Sequence, residues 1–170
     1  MMTMNDTPTF RLMNLEDLPV IVGLERDIYP QPWSEGIFRD ELARDDRVYV
    51  VAESRGIVLG FAGLMLIEED AHVTTLAVRP DNRQVGLGTR LMMRLVETAL
   101  ERGSRNLTLE VRSTNTGAQR LYEKFDMAVV GVRKHYYRDD DAVIMWVTDI
   151  NRPEYAVRLQ EIGASLGEAS

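Results

Sequence analysis

The 170-residue chain contains no cysteine and only two histidines, His72 and His135, which lie in no recognisable metal-ligand spacing. The first absence excludes disulfides, cysteine-based zinc sites and an acyl-cysteine intermediate, and the second leaves no metal to expect. Basic residues are outnumbered, 20 Lys and Arg against 27 Asp and Glu, for a net charge of −7. That balance speaks against general nucleic-acid binding and suits a basic peptide or a cationic amine as partner. Long hydrophobic runs are missing too. The longest uncharged stretch, residues 57–67, contains two glycines and falls far short of the ~18 residues needed to cross a bilayer. The opening residues, MMTMNDTPTF, lack the basic and apolar regions of a signal peptide. The expectation is a cytoplasmic protein that engages neither membrane nor nucleic acid. With 45% hydrophobic and 28% charged residues it has the composition of one globular domain.

The most informative stretch is residues 73–89, VTTLAVRPDNRQVGLGT. Val73, Leu76, Ala77 and Val78 suit a buried strand, and Pro80-Asp81-Asn82 ends it. From Leu91 onward, Met92, Leu95, Val96, Ala99 and Leu100 recur at helical spacing. Gly86 and Gly88 therefore stand where a helix begins with unpaired N–H groups, a place that attracts anions. A glycine pair before a helix is also an ordinary turn. A phosphate-binding loop of the Walker type would need Lys-Ser/Thr where this chain has Thr89-Arg90. A dinucleotide fingerprint would need a small residue in place of Leu91.

The remaining elements follow from periodicity and punctuation. Residues 9–13 form a short strand. Asn14 caps a helix running to about Ile28, with Leu18, Ile21, Val22 and Glu25 at helical spacing, and Ser34 caps a second with Ile37, Phe38 and Leu42 on one face. Strands at 48–53 and 57–67 flank the turn Ser54-Arg55-Gly56, and the second, apolar on both faces, is internal. Gly103 closes the main helix. Residues 106–112, NLTLEVR, alternate: Leu107, Leu109 and Val111 face the core, while Thr108, Glu110 and Arg112 form a polar face. Asn115 caps a helix to Phe125 that places Asn115 and Tyr122 on nearly one face. Residues 127–137 and 142–148 form a last hairpin. The resulting order, βααβββαβαββ, implies a mixed α/β sheet with helices on both faces. Residues 1–150 are expected to form the domain and 151–170 an extension, partly helical or disordered.

The turn Arg83-x-x-Gly86-x-Gly88, in that element order, resembles the acetyl-CoA pyrophosphate loop of the GNAT superfamily of N-acetyltransferases, over roughly residues 8–150. Pro32-Trp33-Ser34, Leu109-Glu110-Val111-Arg112 leading to Asn115, Leu121-Tyr122-Glu123-Lys124 and His135-Tyr136-Tyr137 are similar to the RimI-like branch, which acetylates the N-terminal alanine of a small-subunit ribosomal protein. Asp126-Met127 replaces the family's usual Gly-Phe, so Asp126 is expected in a turn conformation that glycine adopts more easily. The resemblance implies a mostly antiparallel sheet and acetyl-CoA as acetyl donor. It implies cofactor contacts from Leu76, Ala77 and Val78 along the pantetheine arm. Arg83, Gln84, Val85, Gly86, Leu87, Gly88 and Thr89 would lie at the pyrophosphate, with Asn115 nearby. Glu110 is the candidate general base, through water, and Tyr122 the candidate general acid. Trp33, Tyr136 and Tyr137 are candidates for the acceptor cleft; as aromatics they could equally be core. Asp139, Asp140 and Asp141 could meet a basic peptide or be a solvated hairpin tip. Direct transfer by a monomer or weak dimer is expected. A small-amine or lysine acetyltransferase of the same fold, or an acyl-CoA-binding module without turnover, are the alternatives.

Overall fold

In the computed structural model, residues 7–83 and 86–168 are described. The elements are β1 (Thr9–Leu12), α1 (Leu18–Ile28), α2 (Glu35–Leu42), β2 (Arg47–Ser54), β3 (Ile57–Ile67), β4 (Asp70–Val78), α3 (Leu87–Glu101), β5 (Asn106–Arg112), α4 (Thr116–Glu123), β6 (Ala128–Tyr137), β7 (Asp140–Val147) and α5 (Pro153–Glu168). Through β7 this is the order βααβββαβαββ read from periodicity. The strands form one sheet in the order β1-β2-β3-β4-β5-β7-β6, antiparallel throughout except for the β4–β5 pair.

Local chemistry sets the boundaries. Arg55 and Gly56 both have positive φ, 52° and 77°, the conformation of a tight hairpin turn whose twist matches the strands it joins. Asn14 accepts a bond from the Glu16 amide, while Asp17 reaches back to the Asn14 amide. This reciprocal cap starts a 3₁₀ turn that runs straight into α1. Ser34 accepts from the Ile37 amide and Asn115 from the Ala118 amide. Asp126 takes φ 63°, the left-handed turn that the resemblance leads one to expect at this position. β4 begins at Asp70, three residues earlier than the apolar pattern suggests, because the turn is confined to Glu68 and Glu69.

Both faces of the sheet are covered. On one, α3, the turn that follows α4, and α5 pack Leu91, Leu95, Phe125 and Tyr155 against Val50, Leu64 and Leu109. On the other, α1 and α2 pack Leu18, Ile21 and Phe38 against Tyr49, Val51 and Phe61. Neighbouring residues of β2 thus enter different cores, as the alternation of a strand requires. The described part of the expected extension, which includes α5, contributes more than the faint pattern of Tyr155, Leu159 and Ile162 suggests. Tyr155 is fully buried and its hydroxyl donates to the Phe125 carbonyl at 2.8 Å. Thr108, placed by alternation on a polar face, is in fact buried, since parallel pairing with β4 covers it.

Candidate active site

The site originates in an interruption of the sheet. β4 and β5 pair only through Asp70, Ala71 and His72 against Asn106, Leu107 and Thr108. Beyond His72 the two strands part. The register of β3 against β4 slips between Gly63 and Leu64, leaving Thr74 as an extra residue on β4. Such a bulge bends the strand that carries it. Gly63 is required at this point, because a side chain there would enter the ring of Tyr49, whose hydroxyl lies 3.0 Å from Thr74 Oγ1.

The opening is a cleft of about 1080 Å³ lined by residues 73–78 of β4 and 109–112 of β5. That is slightly above the range of roughly 300–1,000 Å³ usual for ligand sites. Leu76, Ala77, Val78, Arg83, Gly88 and Asn115 all line it, as do Glu110, Tyr122, Trp33, Tyr136 and Tyr137. Gly86 starts α3 in the left-handed conformation, φ 75°. Gly88 stands where a Cβ would come within 2.9 Å of Leu121, so backbone can face the cleft with no side chain in the way. Leu87 is a core residue and can offer only its backbone. Thr89 is buried and faces a smaller cavity, about 260 Å³, between α3, α4 and α5. Gln84 and Val85 lie outside the described residues. The first turn of α3, fifteen residues long, thus presents its unpaired amides and dipole at one end of the cleft, a setting suited to a phosphate group.

Glu110 sits just beyond the last β4–β5 pair, at the apex of the opening. Its carboxylate is 3.6 Å from His72 Nε2 and 3.4 Å from Arg133 Nη2. Burial holds His72 below the ordinary imidazole value, against the opposing pull of Glu110, so at neutral pH the ring is uncharged. Tyr122 projects from α4 into the same cleft. Burial, and then its neighbours Tyr29 and Tyr137, push its phenol well above the ordinary value. It therefore holds its proton at neutral pH. Asn115 spends its side-chain oxygen on the cap of α4, which leaves its amide NH₂ for other contacts.

The aromatic candidates divide. Tyr136 and Tyr137 meet edge to face at 5.1 Å, Arg112 lies over the Tyr137 ring at 4.3 Å, and half of Tyr136 is exposed. Trp33 lines the cleft and also packs on Phe38 at 5.3 Å, serving core and cleft together. The acidic hairpin tip is occupied within the molecule. Asp139 pairs with Arg112, Asp140 accepts from Ser113 and Thr114 and is drawn down to about 2 by those bonds, and Asp141 holds the His135 amide and Lys134.

Two cleft residues carry no motif. Tyr29 ends α1, and its hydroxyl donates to the Leu76 carbonyl at 2.8 Å. Glu25 is almost wholly buried, 4% exposed, with Oε1 accepting from the Trp33 amide at 3.3 Å. Burial raises its carboxyl to about 7, partly offset by that amide. Its sequence signal was an acid on the apolar stripe Leu18, Ile21, Val22. Among the described residues no group of three or more His, Asp or Glu is placed to hold a metal, and no helix is long and apolar enough to cross a membrane.

Comparison with known proteins gives this geometry a family. The sequence profile described as the acetyltransferase (GNAT) family matches residues 18–127. A Bacillus subtilis protein provisionally named as a ribosomal protein bS18-alanine N-acetyltransferase is 40% identical over 141 residues, 81% of this chain and 93% of that protein. The Escherichia coli ribosomal protein bS18-alanine N-acetyltransferase is 30% identical over 141 residues, 81% of this chain and 95% of its own length. The crystal structure of the E. coli ribosomal-protein-S18-alanine N-acetyltransferase superposes with a TM-score of 0.78 over 84% of this chain and 94% of the other.

Proposed function

Because the chain belongs to the GNAT acetyltransferase family, we propose that it transfers the acetyl group of acetyl-CoA to the α-amine at the N-terminus of a protein, an alanine of a small-subunit ribosomal protein. The observation that carries the reading is the parting of β4 from β5 with Glu110 and Tyr122 facing the gap. The names of the two curated relatives support the acceptor.

Bound acetyl-CoA would supply an acetyl thioester. The residues present fit it. Residues 73–78 of β4 have no β5 partner along the gap and can pair with an extended arm as with an added strand. The first-turn amides of α3 and the Arg83 guanidinium suit a pyrophosphate. Glu110 takes a proton from the acceptor's ammonium through water. The free amine then forms the C–N bond as the C–S bond breaks, Tyr122 gives its phenolic proton to the departing sulfur, and the second proton, shed by the acylated nitrogen, restores the phenol. An α-amine with a pKa of about 7.7–8.0 costs roughly 1 kcal/mol to deprotonate at pH 7, whereas a lysine near 10.4 costs roughly 4.6. A carboxylate with no exceptional environment suffices for the former. With no cysteine in the chain, transfer is direct, within a ternary complex, in the cytoplasm.

The test is a mass-spectrometric comparison of protein N-termini in cells with and without this protein. Loss of the acetyl group from an N-terminal alanine of a small-subunit ribosomal protein is the expected result. Unchanged N-termini, with altered lysine or small-amine acetylation, would overturn the reading.

A further inference from the structure

Among the described residues, Glu25 is the one buried charged or amide side chain lining the cleft that the reaction above leaves unused. Among the described residues, three buried side-chain atoms lack a conventional hydrogen bond: Glu25 Oε2, Glu41 Oε2 and Arg47 Nε. The last two face each other as an ion pair, so their charges are met. Glu25 Oε2 has neither a donor nor a cation. An unpaired acceptor this deeply buried is costly unless something else meets it. The residue lines the cleft beside Tyr29 and Trp33, on the wall that the loop between α1 and α2 builds.

We propose that Glu25 binds the acceptor, its free Oε2 accepting a hydrogen bond from an N–H group at the acceptor's amino end. This rests on the N-terminal acetyltransferase reading and adds to it a residue that selects the acceptor. The division of labour follows from the two oxygens. Oε1 holds the Trp33 amide and so fixes the loop that carries Trp33 into the cleft. Oε2 is left with no donor among the described residues. Glu25 differs in this from Glu110, whose carboxylate is already flanked by His72 and Arg133. The donor is either the α-ammonium itself or the backbone N–H of the acceptor's second residue. Both end peptide recognition in an N–H···carboxylate bond, the stronger class of hydrogen bond.

The decisive variant is Glu25→Gln. Its carbonyl oxygen can still accept from the Trp33 amide, so the loop keeps its anchor, but an NH₂ replaces the free acceptor and opposes an incoming N–H. The variant is assayed with acetyl-CoA and an alanine-initiated peptide, alongside the same peptide N-methylated at its second residue. KM for the plain peptide should rise at least tenfold, while KM for acetyl-CoA stays within twofold of wild type. Glu25→Asp, which retains a carboxylate, should recover part of the loss. If the second-residue amide is the donor, N-methylation weakens binding to wild type but not further to Glu25→Gln; if the ammonium is the donor, the variant's defect is the same on both peptides. Wild-type peptide KM in Glu25→Gln, or equal rises in KM for both substrates, would show a loop-holding residue and overturn the inference. Wild-type enzyme that acetylates no N-terminal peptide would instead fail the underlying reading and take the inference with it.

Discussion

Replacing Gly63 by alanine should narrow the mouth of the cleft from a distance, through Tyr49. A Cβ at position 63 would fall 2.6 Å from Tyr49 Cδ1 and 2.7 Å from Cζ. The ring cannot simply swing aside. Tyr49 is 2% exposed, packs edge-on against Phe38 at 6.4 Å and is tethered to Thr74 at 3.0 Å. Forcing a methyl into such a site costs about 1–3 kcal/mol, and losing the Tyr49–Thr74 bond adds about 0.5–1.5. The smaller entropy of an unfolded alanine returns about 0.4–1 kcal/mol, so overpacking dominates and the net loss is about 0.5–4 kcal/mol. For a chain of this size that is a fall in Tm of roughly 1–16 °C, measurable by scanning calorimetry. Because Thr74 is the bulged residue that opens β4 from β5, KM for acetyl-CoA should rise with it. Adding Tyr49→Val should remove the clash, so that the two substitutions together cost less than their sum. A Gly63→Ala protein with unchanged Tm, or strict additivity with Tyr49→Val, would refute this account of the bulge.

Glu110→Gln and Tyr122→Phe should each lower kcat by about a hundredfold or more with KM for acetyl-CoA within twofold; wild-type rates in both would remove the proposed acid and base. Asp17→Asn removes the charge that meets Arg11 at 2.7 and 2.8 Å and should cost about 1.5–3 kcal/mol, or a Tm lower by about 3–12 °C. Arg11 holds Asp17 below its ordinary value, so this contribution is present above the unfolded pKa of about 3.8 and is lost as pH falls through the lower folded one. Glu25 has the opposite sign. Its folded value near 7, against an ordinary 4.5, means that the unfolded chain gives up a proton the folded chain keeps. Wild-type stability therefore falls between pH 4.5 and 7 relative to Glu25→Gln. A Tm difference between the two proteins that stays constant from pH 4 to 8 would contradict this.

Much of the fold was legible because its signals are local. Asn14, Ser34 and Asn115 cap helices where short polar residues precede apolar stripes, and the hairpin at Arg55-Gly56 announces itself by a glycine between two apolar runs. Asp126 in the left-handed region was expected from the family resemblance, in which glycine usually stands at that point. What escaped depends on contacts distant in the chain. The parting of β4 from β5 arises from a register slip against β3, which no periodicity within β4 reveals. Thr108 is covered by a parallel neighbour 36 residues away, the interval between His72 and its partner in the register. The depth of Tyr155 is set by a carbonyl 30 residues earlier, while most of its own helix is exposed. In the site, Glu110 was visible as a carboxylate on an alternating strand. Glu25 was visible only as an acid on an apolar stripe, a pattern that burial alone can interpret.

The most direct measurement offers purified protein, with acetyl-CoA, a peptide that begins with alanine and carries one internal lysine, and locates the product's acetyl group by tandem mass spectrometry. The account predicts acetylation at the α-amine, abolished when the N-terminus is blocked and strongly slowed in Glu110→Gln and Tyr122→Phe. Acetyl on the lysine alone, or no transfer to any amine despite tight binding of acetyl-CoA, would contradict it.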